Sequence, residues 1–373
     1  MKQLGIYVHI PFCKKKCNYC DFLSFENRNE FIEKYINKLI EEIKEESNKI
    51  SRQEYKITTI YFGGGTPSYI DSKYINEILE VIKENYNLYN PEITLEVNPG
   101  TVTEEKLKDY FSFGINRLSI GLQETNNELL KTIGRIHTYE EFLDTYNNAR
   151  KVGFKNINVD LMIGLPNQNL FNINDSLDKI IKLNPEHISV YSLILEENTK
   201  LEKQVLDGEF VLPEEEFERK MYWHVKQKLE ENDYMQYEIS NFSKKGLESK
   251  HNMNCWKQEE YIGFGLGAHS YLNNIRYSNS ETLEKYIENN KKIVHEKQTR
   301  EDIMKEYMLL GLRKIEGVLI SEFEYKFQIN PLFYFRFEIS KLEEEDLIGV
   351  DLNNIKLTKK GLNLANQVFK EFV

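Results

Sequence analysis

Six short runs rich in β-branched and aromatic residues punctuate the first half of the chain, with a helical pattern after each. This alternation limits the fold more than any other feature. The runs are Ile6–Ile10, Ile57–Phe62, Ile93–Val97, Arg117–Ile120, Asn156–Met162 and His187–Leu193. Between the first two, Phe31, Ile32, Tyr35, Ile36, Leu39, Ile40 and Ile43 recur at steps of three and four, the apolar stripe of an amphipathic helix. Lys73–Glu84, Glu104–Tyr110, Tyr139–Val152 and Phe171–Lys182 repeat the helical pattern. Strands joined by helices of this length form βαβ units and a parallel sheet. About six units predict an α/β fold built on a partial (β/α)6 barrel of the TIM type, because closure needs eight.

The strand ends carry the polar and glycine-rich residues. Ile60-Tyr61-Phe62 runs into Gly63-Gly64-Gly65-Thr66-Pro67, Leu95-Glu96-Val97 into Asn98-Pro99-Gly100, and Val159-Asp160-Leu161-Met162 towards Gly164-Leu165-Pro166. Parallel sheets bind ligands at that face. After about residue 195 the alternation stops. Glu196–Glu216 is charged and reads as a connection to a helix at Phe217–Glu231, followed by a glycine-rich stretch at Tyr261–Gly267. A helix at Asp302–Leu312 opens the last part, and Lys341–Val373 reads as helix, a small β-wing around Ile355–Leu357, then helix. The expected organisation is a barrel over 1–195, a linker together with a region that carries the run His251–Trp256 over 196–300, and a mostly helical, winged-helix-like domain over 301–373.

A net charge of -11 opposes sequence-independent binding to nucleic acid. No apolar run is long enough to span a bilayer, and the first ten residues lack the cleavage pattern of a secretory signal. The cytosol is therefore the expected compartment, and with no anchor any membrane role would run through a partner. Thiols stay reduced there, so clustered cysteines point to metal or catalysis. Three of the four cysteines fall within eight residues, as Cys13-x-x-x-Cys17-x-x-Cys20. Three thiolates on one loop leave one iron of a [4Fe–4S] cubane open to a small-molecule chelator. Structural zinc is the competing reading. It takes four ligands, usually as two separated pairs, whereas the remaining Cys255 is remote and His9 lies on a strand before Pro11.

Ordered along the chain, Tyr7-Val8-His9-Ile10-Pro11-Phe12-Cys13, Cys17-Asn18-Tyr19-Cys20-Asp21-Phe22, Gly63 to Ser68, Glu96-Val97-Asn98-Pro99, Ser119 to Gln123, Asp160 to Pro166, and His251-Asn252 with Trp256 resemble the HemN/HemW branch of radical SAM proteins. The resemblance covers nearly the whole chain. It implies a [4Fe–4S] cluster on Cys13, Cys17 and Cys20 that holds S-adenosylmethionine (SAM), an electron donor for the cluster, and porphyrin or heme chemistry. The branch holds two activities: oxygen-independent coproporphyrinogen III oxidase, and a heme chaperone that delivers heme to hemoproteins. The oxidase has a fourth cysteine two residues after the third, where this chain has Phe22, and an N-terminal extension. The chaperone has an HNxxYW signature, read here as His251-Asn252-Met253-Asn254-Cys255-Trp256 with cysteine in place of tyrosine. The balance favours the chaperone, with heme as cargo and recipient hemoproteins as partners.

The resemblance also assigns SAM-binding roles to Tyr7, Tyr19, Gly64, Gly65, Thr66 and Glu96. It matches Gln123, Arg135 and Asp160 to positions that contact a second SAM in the oxidase. His251 becomes a candidate axial heme ligand and Cys255 a candidate thiolate ligand, with His269 a weaker alternative. Each has a plainer reading. Tyr7 would line the barrel, Arg135 would make a surface ion pair, and Lys14–Lys16 would be a solvated loop. His251 would be a hydrogen-bonded histidine and Cys255 an ordinary buried thiol.

Overall fold

The computed structural model describes all of residues 1–373. Six parallel strands form its centre: β1 (Lys2–Ile10), β2 (Tyr55–Gly64), β3 (Leu88–Val97), β4 (Arg117–Gln123), β5 (Ile157–Ile163) and β6 (His187–Ser192). They coincide with the six runs read from the sequence, lengthened mainly at their N-terminal ends. Helices α1 (Ile32–Ser47), α2 (Ser72–Asn85), α3 (Glu104–Phe113), α4 (Tyr139–Val152) and α5 (Leu170–Leu183) connect them. Side chains alternate across a strand, and here the alternation separates core from site. Ile6, Val8, Ile60, Phe62, Leu95, Leu118, Ile120, Val159, Ile188 and Val190 belong to the main hydrophobic core together with Tyr35, Ile36, Leu39 and Ile43 of α1. The intervening residues, among them Tyr7, Tyr61, Glu96, Ser119 and Asp160, form the opposite, polar face. Local chemistry sets the helix ends: α4 opens with a Thr138/Glu141 capping box, and Gly153 ends it at φ 122.

The segment 196–300 corrects the expectation of a linker. Helix α6 (Glu215–Glu230) packs on α5 and β5 as the sixth barrel helix, so the boundary drawn at 195 cuts through the barrel. The segment also adds strands to both edges of the sheet. β7 (Met235–Glu238) and β8 (Asn241–Ser243) form a hairpin antiparallel to β6. β9 (Tyr261–Phe264) pairs in parallel with β1, and β10 (His269–Leu272), β11 (Ile275–Ser278) and β12 (Ile293–Lys297) follow outward. The result is one twelve-stranded sheet in the order β12-β11-β10-β9-β1-β2-β3-β4-β5-β6-β8-β7. These strands are three to five residues long, too short for alternation to reveal. At Gly263 an added Cβ would lie 2.2 Å from the His269 carbonyl oxygen, which explains the glycine.

A second core of 17 buried residues, from Met304 to Phe372, lies within the last part of the chain. It is built on α7 (Arg300–Gly311), the helices Ile320–Phe327 and Arg336–Glu344, and a three-stranded sheet of Val318–Leu319, Asn354–Leu357 and Ile348–Val350. No helix of the chain is long and apolar enough to cross a membrane.

Candidate functional site

The C-terminal ends of the barrel strands surround a cleft of about 440 Å³. Eleven of the fifteen residues assigned to cluster, SAM or heme line it: Cys13, Cys17, Tyr19, Cys20, Gly64, Gly65, Thr66, Glu96, Gln123, Arg135 and Asp160; His269, like Tyr7, His251 and Cys255, does not. Chain segments far apart in sequence pin the cysteine loop. The Gly65 amide donates to the Ile10 carbonyl at 2.9 Å and the Thr66 amide to Phe12 at 3.0 Å, holding the glycine loop of β2 beside Cys13. Thr66 Oγ1 donates to Cys13 Sγ at 3.5 Å. On the other side, Asn18 bonds through its amide to Ile133 and through its side chain to Thr132, both at 3.0 Å. Arg135 fixes Cys17: Nη1 lies 3.5 Å from the sulfur and Nη2 donates to Asn98 Oδ1 at 2.8 Å. Arg135 is thus half-buried in the cleft beside the cysteine loop, not in a surface ion pair, and Tyr19 neighbours both it and Cys17.

Glu96 is held at both oxygens. The Tyr61 hydroxyl donates to Oε1 at 2.8 Å and the Gly64 amide to Oε2 at 3.2 Å. Burial, with Asp160 nearby, pushes its carboxyl up to about 7 against these two bonds. Asp160 is also raised, first by burial, although Asn158 Nδ2 donates to it at 2.7 Å. Gln123 ends β4 at φ 74, in the left-handed region, where a register shift lets its amide return over Gly121. Tyr7 does not line the cleft. Its hydroxyl meets His9 Nδ1 at 2.9 Å, and His9 Nε2 meets the Leu23 carbonyl at 2.8 Å. The carbonyl can only accept, so Nε2 carries the proton and the Tyr7 hydroxyl donates to Nδ1. Tyr7 therefore braces the cysteine loop from behind.

His251 and Cys255, the two candidate heme ligands, do not line the cleft. His251 is 8% exposed, with Nδ1 2.9 Å from Thr59 Oγ1 and its ring stacked on Tyr61 at 5.1 Å. The imidazole is therefore enclosed beneath Tyr61, which separates it from the cleft. Cys255 neighbours Arg276 and Tyr261, and burial pushes its thiol up to about 11. Tyr61, Asn98, Ser119 and Tyr191 line the cleft and were missed. For Tyr61 the signal was present: it lies two residues before Gly63, on the same face of β2.

The donor set fits an iron–sulfur cluster with a chelator. The three sulfurs share one wall of the cleft, and no three His, Cys, Asp or Glu side chains converge as a single metal ion requires. A Cβ on Gly65 would lie 3.0 Å from Cys13 Sγ, so glycine keeps the backbone close to the sulfur. A deprotonatable Glu96 faces the same space.

The sequence matches the Radical SAM superfamily over residues 7–180 and the HemN C-terminal domain over residues 298–364. Fold, cysteine loop and cleft define a radical SAM protein. A heme chaperone HemW of Lactococcus lactis is 38% identical and covers 100% of this chain and 98% of its own. One of Bacillus subtilis is 37% identical over 98% of each. The chain belongs to the HemW family of radical SAM proteins. Among solved structures, the coproporphyrinogen III oxidase HemN of Escherichia coli aligns with a TM-score of 0.88 at 24% identity, covering 100% of this chain and 90% of that one. At that identity the likeness speaks for the fold alone.

Proposed function

We propose that this chain is a heme chaperone, which binds heme beside a [4Fe–4S] cluster and SAM and passes it to hemoproteins. The observation that carries the reading is the mouth of the cleft. Phe22 (64% exposed), Ile194 (68%) and Tyr191 (41%) line it and present a large apolar surface to solvent next to the cysteines. Lys15 and Lys16 stand on the same rim. A flat apolar ring system with two carboxylates complements these groups: the ring lies against Phe22, Ile194 and Tyr191, and the carboxylates meet the lysines. Contiguous exposed apolar residues of this kind mark ligand or partner sites. Phe22 also occupies the place of the oxidase's fourth cysteine.

When bound, the cluster supplies an electron and an open iron for SAM. The chain's own residues do the rest. Cys13, Cys17 and Cys20 hold the cluster, and the absence of side chains at Gly64 and Gly65 lets a ligand approach the backbone. Glu96, once ionised, accepts from a SAM hydroxyl or ammonium. Gln123, Arg135 and Asp160 extend the polar floor. Burial pushes the Cys20 thiol up to about 11, so cluster assembly must displace its proton.

The test is hemin titration of anaerobically reconstituted protein, followed at the Soret band. Phe22→Asp and Ile194→Asp are each expected to weaken hemin binding about tenfold, near 1.4 kcal/mol, with iron and sulfide content unchanged. Undiminished binding in both would overturn the placement at the rim. The second reading, coproporphyrinogen III oxidase, is favoured by Gln123, Arg135 and Asp160 sharing the cleft with Glu96. Carbon dioxide release from coproporphyrinogen III under anaerobic, reducing conditions would establish it. Stoichiometric zinc without iron would remove both.

A further inference from the structure

The segment His251–Trp256 carries the family's signature, and its histidine does not line the cleft but packs directly against a residue that does, Tyr61. The His251 ring lies 5.1 Å from the Tyr61 ring at an interplanar angle of 29°. Tyr7 covers Tyr61 further, at 6.3 Å and 25°. Tyr61 therefore stands between two rings, and its hydroxyl reaches Glu96 Oε1. Gly63 makes room for this packing. A Cβ there would lie 3.0 Å from Tyr61, 3.1 Å from Glu96 and 3.1 Å from Tyr7.

His251 is itself fixed at two points. Its Nδ1 meets Thr59 Oγ1 at 2.9 Å and its amide donates to Glu92 Oε1 at 3.2 Å. The short helix Lys250–Trp256 is anchored at its other end by Arg313, whose guanidinium lies 4.5 Å from the Trp256 ring. Burial, then Arg117, lowers the imidazole to about 4, so it is neutral at physiological pH and stacks as an uncharged ring.

We infer that His251 is a positioning residue for SAM: stacked on Tyr61, it fixes the hydroxyl that orients the Glu96 carboxylate into the cleft, and it does not ligate heme. The inference rests on the reading of the cleft as a SAM site. Without the imidazole, Tyr61 gains rotational freedom, and the bond that holds Glu96 Oε1 is made only part of the time. One net hydrogen bond amounts to about 1 kcal/mol, or several-fold in affinity.

The experiment measures SAM binding by equilibrium dialysis, and hemin binding by titration, on anaerobically reconstituted full-length protein. The variants are His251→Ala, His251→Phe, Tyr61→Phe and the double variant Tyr61→Phe/His251→Ala. His251→Ala and Tyr61→Phe should each weaken SAM roughly five- to tenfold without reducing the number of sites. The double variant should be no weaker than the worse single one, because both act through one bond. His251→Phe keeps a ring on Tyr61 and should recover most of the loss. The pH midpoint of SAM binding should rise in Tyr61→Phe and His251→Ala, since the Tyr61 bond favours ionised Glu96. Hemin affinity should be unchanged throughout.

Two results overturn the inference: unaltered SAM affinity in His251→Ala, or hemin affinity falling while SAM affinity stays. If His251→Ala does not fold, His251→Phe and Tyr61→Phe decide by the same criteria. Wild-type protein that binds no SAM refutes the SAM reading instead, so the two failures are distinct.

Discussion

Gly64 and Glu96 show how closely the site depends on single atoms. Gly64 sits at φ 111, and a Cβ there would lie 2.5 Å from the His9 ring, which is itself tied to Tyr7 and Leu23. Gly64→Ala should cost about 2–4 kcal/mol through backbone strain and overpacking, seen as a lower Tm and loss of iron on reconstitution. Glu96 gives a pH signature. Its folded value is raised from 4.5 to about 7, so across that interval the folded chain keeps a proton that the unfolded chain has lost. Stability from this group is therefore present below 4.5 and declines as pH rises through about 7. Glu96→Gln should flatten that decline, by about 3 kcal/mol, measured by thermal melts of the apo-protein across the window. In the wild type SAM affinity should rise over the same interval, and the variant should bind SAM weakly at every pH.

At the scale of elements, the seam between β1 and β9 is the join that the barrel needs. Glu42 on α1 closes it from outside. The carboxylate accepts from the Gly265 amide at 3.0 Å, Asn279 Nδ2 at 2.7 Å and the Tyr286 hydroxyl at 2.7 Å. Tyr35 adds to the closure, donating to the His9 carbonyl at 2.7 Å and accepting from the Leu266 amide at 2.9 Å. A chain cut after residue 195 loses all of these donors except Tyr35 and bares one edge of β1, an invitation to aggregation. It should run as aggregate in size-exclusion chromatography. A chain ending after residue 299 keeps the whole twelve-stranded sheet and should elute as a folded species that still takes up iron. The six runs and five helices were legible because each is long enough to show its period. β7 to β12 were not, because runs of three to five residues carry too little pattern.

The whole molecule has two cores joined by backbone and side chains: the Ile239 amide donates to the Arg313 carbonyl and the Ile315 amide to the Tyr237 carbonyl, both at 3.1 Å, and Arg276 pairs with Glu306. Arg313 lies over Trp256 at 4.5 Å and over Phe369 at 5.5 Å, and Trp223 Nε1 donates to Asn363 Oδ1 at 2.9 Å. Separate cores joined by such contacts should melt as separate transitions. Arg313→Ala removes a cation stacked on two rings. It should lower the transition of the C-terminal part by about 1–2 kcal/mol and leave that of the barrel nearly unmoved, as read by scanning calorimetry. The same segment, Lys250–Trp256, touches the C-terminal part through Trp256 and the barrel interior through His251.

By itself the sequence determined the parallel barrel, the three-thiol loop and the glycine and carboxylate positions at the strand ends, because period and spacing are local properties. It also supplied the residues of the signature around His251, but not their place. Tertiary structure alone decided that β9 returns to β1, that Arg135 bonds to Cys17 within the cleft, and that His251 lies under Tyr61. Those outcomes rest on contacts between residues more than a hundred positions apart, which packing and hydrogen bonding select and no local pattern records.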